Sequence, residues 1–363
     1  MNIIDNYQLL NYKNIVELLQ SIQNYNYILL GESTHGTEEF FLLRYVMTIL
    51  LIKNFNFNTV LFEMEWSIGY QINLYIHSKI NKDIKKFVNQ LFIHYPKWMG
   101  NNEIIIKLIL FLKQWNDTHN ENKKVYFYGI DCQNIEIANQ NICYDKNINC
   151  KIVQKIIKNY HHMKNSNDYW NQRDKFWLTI INHIQKDNDK KERNSKFILW
   201  AHNSHIGNCK ANIDNDPNKI NIGYLLNKSY QSFKIGFSTY EGTVKASKKW
   251  DGPGRKYSLK KAHKDSFEYS LHLLTKKLNK NSIIYICNPK LKIEKLFRYV
   301  GVIYNSENEM NAHYQLTNIN KEYNIVIFIN KTNYLKQSTE LKFKNKNNLN
   351  YFYKDLKKIS NKI

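Results

Sequence analysis

An α/β fold, with a central, mostly parallel sheet flanked by helices and carrying helical insertions, is what this 363-residue sequence predicts. Three observations predict it. Apolar runs of strand length recur along the chain and end at glycine or at titratable residues. Several are followed by apolar patterns of helical period, the alternation that parallel strands need for their crossovers. No repeat and no linker interrupts the series. Residues 27–332 therefore read as one domain, preceded by a helix in residues 1–26 and followed by a Lys/Asn-rich tail over residues 333–363.

The elements follow in order. Ile15, Leu18, Leu19 and Ile22 mark a short amphipathic helix. The first strand is Tyr27-Ile28-Leu29-Leu30, which stops at Gly31; Glu32 and His35 follow at a spacing of three. A helical pattern then carries Phe40, Phe41, Leu43, Val46, Met47, Leu50 and Leu51. The second strand, Thr59 to Phe62, runs into Glu63-Met64-Glu65-Trp66, and strand alternation would place both glutamates on one side. Helices are expected around Ile68–Ile76, Ile84–Phe92 and Ile104–Trp115, with an aromatic loop from His94 to Gly100.

The third strand, Val125 to Tyr128, ends at Gly129-Ile130-Asp131. Helical segments are expected from Asn134 to Lys164 and from Asp168 to Ile184, then a charged turn from Lys186 to Asn194. The fourth strand, Lys196 to Trp200, ends at Ala201-His202-Asn203-Ser204-His205. Phe233 to Phe237 is the fifth, followed by a polar segment with Gly242 and Gly252-Pro253-Gly254. A helix over Ser266–Leu278, a strand over Ser282–Cys287, and short strand-like runs at Arg298–Tyr304 and Ile325–Ile329 complete the series, and the chain from Lys331 reads as frayed.

Composition narrows the class. The chain is 43% hydrophobic, enough for a large core. It has no apolar run of membrane-spanning length and no charged-then-apolar leader, so a cytoplasmic protein without membrane partners is expected. Five scattered cysteines with no C-x-x-C argue against a disulfide scaffold and a zinc ribbon. The net charge of +22 is spread over the whole length rather than gathered in a basic patch, so no specific nucleic-acid partner is expected. Only five arginines occur among 53 basic residues, so each one marks a place where the planar guanidinium fork matters.

Four strand ends carry titratable groups: Glu32 with His35, Glu63 with Glu65, Asp131, and His202 with His205. In a parallel sheet all four would face one crevice. Two chemistries fit. In one, His35 takes a proton from water, Glu32 or Glu63 orients it, and Arg44 or a second histidine stabilises the oxyanion. In the other, three of His35, His202, His205, Glu32 and Glu63 hold a metal with an open water position. A non-catalytic protein that binds polyanions is the alternative of a different class. The plain structural reading of His202-x-x-His205 is two hydrogen-bonded loop histidines, and of Ser33 and Ser204 a turn or capping role. Nucleophile-elbow, P-loop and dinucleotide fingerprints are absent from the sequence.

Leu30-Gly31-Glu32-Ser33-Thr34-His35-Gly36 with Glu39-Phe40 and Arg44 resembles the signature of the erythromycin esterase family. Phe62-Glu63-Met64-Glu65-Trp66, Tyr128-Gly129-Ile130-Asp131, Trp170-Asn171-Gln172-Arg173-Asp174 and Trp200-Ala201-His202-Asn203-Ser204-His205-Ile206-Gly207 resemble further segments of it, and the likeness runs in order from about Tyr27 to Thr332. The resemblance implies an α/β core with helical insertions and hydrolysis of an ester or lactone by histidine-activated water, without cofactor or metal. It implies His35 as general base, with Glu32, Arg44, Glu63, His202 and His205 as the rest of the catalytic cluster. Glu65, Trp66, Asp131, Arg173, Asn203 and His313 are expected to bind the small-molecule substrate. Three positions depart from the pattern: Gly100-Asn101 and Asn305 stand where arginines are usual, and Tyr240 where a histidine is usual. These leave the substrate unassigned.

Overall fold

The computed structural model describes residues 6–93, 96–133, 158, 168–214, 216–250 and 252–337. Eleven strands occur among the described residues: β1 Tyr7–Leu9, β2 Tyr27–Leu30, β3 Thr59–Glu65, β4 Tyr126–Asp131, β5 Phe197–Trp200, β6 Ser232–Ala246, β7 Arg255–Leu259, β8 Ser282–Ile286, β9 Glu294–Arg298, β10 Tyr314–Asn318 and β11 Ile325–Thr332. Nine form one sheet in the order β1-β8-β11-β6-β2-β5-β3-β4, with β7 paired to β6; β9 and β10 form a separate ribbon. From β4 through β11 every neighbouring pair is parallel. Strands β8, β1 and β7 join by antiparallel pairing.

Alternation along buried strands builds two core layers. Ile28, Leu30, Val60, Ile198 and Trp200 face one layer together with the helix Glu38–Phe55. Tyr27, Leu29, Leu61, Phe197 and Leu199 face the other, against the helix Tyr169–Lys190. Both faces of these strands are covered, which is why each reads as a continuous apolar run rather than as an alternating one. The helix Glu38–Phe55 is buried from Glu39 through Ile52 on all sides, and it ends where Asn56 turns left-handed at φ 58°.

The topology sets the position of the site. The chain leaves β2 for β3 and β4, returns to insert β5 between β2 and β3, then passes to β6 beyond β2. The four strand ends that carry titratable groups are thus contiguous, and their carboxyl ends share one edge.

Several expectations are corrected. Residues 1–26 hold the helix Tyr12–Ser21, but Tyr7–Leu9 also adds a strand to the sheet. The helix expected to end at Ile184 continues to Lys190, taking up half of the expected charged turn. Strand β6 continues past Phe237 to Ala246 and pairs with β7, where a polar loop was expected. The strand expected at Arg298–Tyr304 lies earlier, as β9; Val300 and Ile303 make only isolated bridges. Lys97–Gly100 is a helical turn. Over residues 333–337 the chain is seated rather than frayed: Leu335 is buried and its N–H donates to the Gly36 carbonyl at 2.8 Å. The expected helix at 134–164, apart from residue 158, lies outside the described residues, as do residues 94–95 and the tail from 338. No described helix is long and apolar enough to cross a membrane.

Gly69 and Gly129 let the helix Trp66–Ile76 lie directly on β4. A Cβ on Gly69 would stand 1.8 Å from the Gly129 backbone nitrogen, and one on Gly129 would stand 2.3 Å from the Glu65 carbonyl oxygen. Backbone cannot swing aside as a side chain can. Gly69→Ala should therefore destabilise the fold by about 3 kcal/mol or more, read as a fall in the urea midpoint. A midpoint equal to wild type would contradict this close approach.

Candidate active site

Each loop after β2, β3, β4 and β5 delivers side chains to one cleft of about 1000 Å³. The loops are tied by backbone. The Glu32 carbonyl accepts the Asn203 N–H at 2.8 Å, the Ser33 carbonyl accepts the Val300 N–H at 2.7 Å, and the Gly31 N–H donates to Ile235 at 2.9 Å. Between Phe62 and Glu65 the pairing of β3 with β4 shifts register, a bulge of the kind that re-aims side chains beside a site.

Glu32 lies at the centre of one half. Its Oε1 accepts from His35 Nδ1 at 2.8 Å, and its Oε2 accepts from Arg44 Nη2. Arg44 is fully buried, its guanidinium carbon 4.5 Å from the Phe41 ring centre and 4.6 Å from that of Trp200. Burial lowers the Arg44 pKa, and Glu32 opposes that shift. With Oε2 taken by the Arg44 guanidinium, Oε1 is the acceptor that faces His35, so the proton lies on Nδ1. That leaves the lone pair on Nε2, which makes no hydrogen bond to any described residue, and His35 lies on the cleft wall.

His202 has the opposite tautomer. It caps the short helix Asn203–Ile206, and its Nδ1 accepts the Ser204 N–H at 3.3 Å with the Ser204 hydroxyl at 2.8 Å. The proton is therefore on Nε2, which is buried. Burial first, then His35, push the His202 pKa well below the ordinary imidazole value, and Glu63 and the Ser33 carbonyl only partly oppose them. The His35 and His202 rings lie 4.8 Å apart, tilted by 51°.

Arg173 organises the other half. Its fork reaches Asp131 at 3.2 Å from Nε and Glu63 at 3.1 Å from Nη2. Its Nη1 donates to His205 Nε2 at 3.1 Å, and His205 Nδ1 donates to Asp174 at 3.0 Å. Both His205 nitrogens are thus engaged, and the Trp170 ring stacks on it at 4.3 Å. Glu63 Oε2 accepts the His202 backbone N–H at 2.7 Å. Burial would raise the Glu63 carboxyl, but His205, Arg173 and His35 outweigh it and hold it well below the usual carboxylate range. Asp131 is likewise lowered, Arg173 outweighing burial.

All six residues expected to be catalytic line this cleft, together with Glu65, Asp131, Arg173 and His313. Glu65 accepts the Gln133 N–H at 2.9 Å, and His313 is held between the Tyr299 carbonyl at 3.2 Å and the Asn305 N–H at 2.9 Å. Trp66 and Asn203 do not line it. Trp66 stacks on Tyr128 at 5.8 Å, and the Asn203 amide clamps the Phe237 backbone at 2.7 and 3.3 Å. Asp174 and Ser204, absent from the expected set, position the two loop histidines; their adjacency to Arg173 and to His205 was the available signal. Of the departures, Tyr240 is a core residue stacked on His272 at 3.8 Å, and Asn305 supports His313. Among the described residues no three His, Cys, Asp or Glu side chains are arranged to hold a metal ion.

Behind the His35 loop, Glu39 grips Asn333, accepting from its backbone N–H at 2.9 Å and its amide at 2.7 Å. Burial pushes the Glu39 pKa up to about 7, against the two Asn333 bonds. The folded chain therefore holds this proton more tightly than the unfolded chain, whose value is 4.5. The associated stability is present below pH 4.5 and is lost as pH rises towards about 7, by about 3 kcal/mol at most. Glu39→Gln should gain stability relative to wild type between pH 5 and 8, measured by urea unfolding; a difference independent of pH would contradict this.

The comparisons with known proteins come from three directions. The erythromycin esterase family model matches residues 52–144 and 138–332. The erythromycin esterase type II of Escherichia coli is 32% identical over 122 residues, which is 33% of this chain and 27% of that protein. Among solved structures, a Bacillus cereus protein has a TM-score of 0.64 at 18% identity, and a succinoglycan biosynthesis protein has 0.61 at 18%. Each alignment covers 92% of this chain and 96% of the other. A histidine-to-asparagine variant of the erythromycin esterase EreC, in its open conformation, has 0.59 at 12% identity over 91% of this chain and 96% of its own. These structures share the fold.

Proposed function

The chain belongs to the erythromycin esterase family, a membership that supports a hydrolase-like function, and from that premise we propose that it hydrolyses a carboxylic ester or lactone by water activated at His35. One observation carries the reading: two buried imidazoles with opposite tautomers, their rings 4.8 Å apart on the wall of one cleft. One offers a lone pair and the other offers an N–H. General-base attack on a carbonyl needs both.

In this reading the substrate carbonyl lies between the two rings. His35 Nε2 takes a proton from water as the water oxygen bonds to the carbonyl carbon. The imidazolium that forms is stabilised by Glu32, whose own charge is held by Arg44. The oxygen of the tetrahedral adduct accepts the His202 Nε2–H. Collapse breaks the bond to the alcohol oxygen, which takes the proton back from His35, and acid and alcohol leave. Neutral His202 suits its task, since it donates a hydrogen bond without competing for the proton. Arg173 and His205 act as positioning residues: Arg173 holds Glu63, His205 braces Arg173, and Glu63 holds the His202 backbone.

His35→Ala should lower kcat/KM for a cleavable ester at least about 10²-fold. His202→Ala should lower it by a comparable factor, acting on kcat rather than KM. Arg44→Lys should also impair turnover, because the charge remains while the fork and its stack on Phe41 and Trp200 are lost. An esterase and lactonase screen with wild type and these three variants decides the matter. Activity near wild type in His35→Ala would reject the mechanism.

A further inference from the structure

The cleft has two unlike halves. The histidines and carboxylates form one; the other is an outcrop of the core. Phe41, Phe62, Met64, Phe92 and Trp200 all line the cleft and all belong to one continuous buried cluster. The Phe92 ring packs on Gly100, where an added Cβ would stand 2.0 Å from Cε1, 2.1 Å from Cδ1 and 2.5 Å from Cζ. Gly100 needs no unusual φ, so the contact with Phe92, not backbone conformation, calls for glycine here. Phe92 is buried in the cluster and also lines the cleft with Gly100. A larger residue at 100 would force the ring to shift, and the open cleft is where it has room.

We infer that the compartment formed by Phe92 on Gly100 with Met64 and Met99 receives a hydrocarbon group of the substrate, and that the Gly100–Phe92 pair sets how large that group can be. The inference rests on the ester-hydrolase reading for the reaction, but on packing alone for the compartment. The side chains of Phe41, Phe62, Met64, Phe92 and Trp200 are apolar, and Arg44, which stacks on Phe41 and Trp200, is committed to Glu32. An anionic or strongly hydrated group there would lose its water without gaining a partner. A hydrocarbon group gains about fourfold in affinity for each methylene it buries, until the space is filled.

The test is a series of p-nitrophenyl esters from acetate to octanoate. For wild type, kcat/KM should rise with chain length. Gly100→Ala pushes the ring into the compartment and should lower the octanoate-to-acetate ratio at least tenfold. Phe92→Ala enlarges the compartment and should raise the ratio for chains longer than the wild-type optimum. A ratio within one preparation does not depend on how much of each variant folds. Equal ratios in all three proteins would overturn the inference. If wild type cleaves no ester, the proposed reaction fails first, and binding still decides the compartment. Calorimetry with N-octylacetamide and N-ethylacetamide should show the octyl compound binding more tightly to wild type, and that preference lost in Gly100→Ala. Equal binding of both amides by wild type would overturn it.

Discussion

The pair formed by Arg44 and Glu32 is the interaction on which the candidate site depends. Glu32 is buried to 3% exposure, and a buried guanidinium at its second oxygen supplies the countercharge while its first oxygen orients His35. Neither partner could be removed cheaply. Deleting one member of a buried pair leaves an uncompensated charge, at a cost of about 3–5 kcal/mol. Arg44 comes from a helix buried on every side from Glu39 to Ile52, so the fold places this cation at the edge of its core and commits it to Glu32.

The second charged cluster is built differently. Arg173 meets Asp131, Glu63 and His205 together, from β4, β3 and the loop after β5, while itself belonging to the helix Tyr169–Lys190. It ties three strand ends to the layer that covers them. Two arginines thus frame the cleft from opposite layers of the fold. The Glu63 and Asp131 carboxyls beside Arg173 are held below the usual carboxylate range although burial alone would raise them.

Much of this was legible in the sequence, and what was missed was missed for physical reasons. Strands β2 to β5 are buried on both faces, so Tyr27–Leu30 and Phe197–Trp200 read as strands without context. Strand β7 has three exposed residues of five, and β9 begins with an exposed glutamate, so their period carries no hydrophobic signal. Strand β6 buries Ser238 and Thr239 opposite Phe328 and Ile329 of β11, beyond the end of β2; only the fold makes such residues interior. In the site, the Glu32–His35 spacing and the scarcity of arginine pointed to residues that the fold brings to one cleft. Asn203 and Trp66 sit in the same segments as cleft-lining residues but make their contacts elsewhere, a distinction that needs backbone geometry. The role of Gly100 was invisible because its partner, Phe92, meets it only through the fold.

The two central histidines explain why the site needs a whole sheet. Identical side chains 4.8 Å apart would, if treated alike by their surroundings, compete for one proton and share one pKa range. Here they are not treated alike. His35 is fixed by a carboxylate, a partner that becomes more favourable when the ring is charged. His202 is fixed by a backbone N–H at a helix N-terminus, a partner that becomes unfavourable when the ring is charged. The first ring keeps its lone pair on Nε2, and the second keeps its proton there. The carboxylate belongs to the loop after β2 and the helix start to the loop after β5, and those strands are neighbours only because the chain returns from β4 to insert β5 beside β2. The acid–base asymmetry of the cleft is therefore a consequence of strand order.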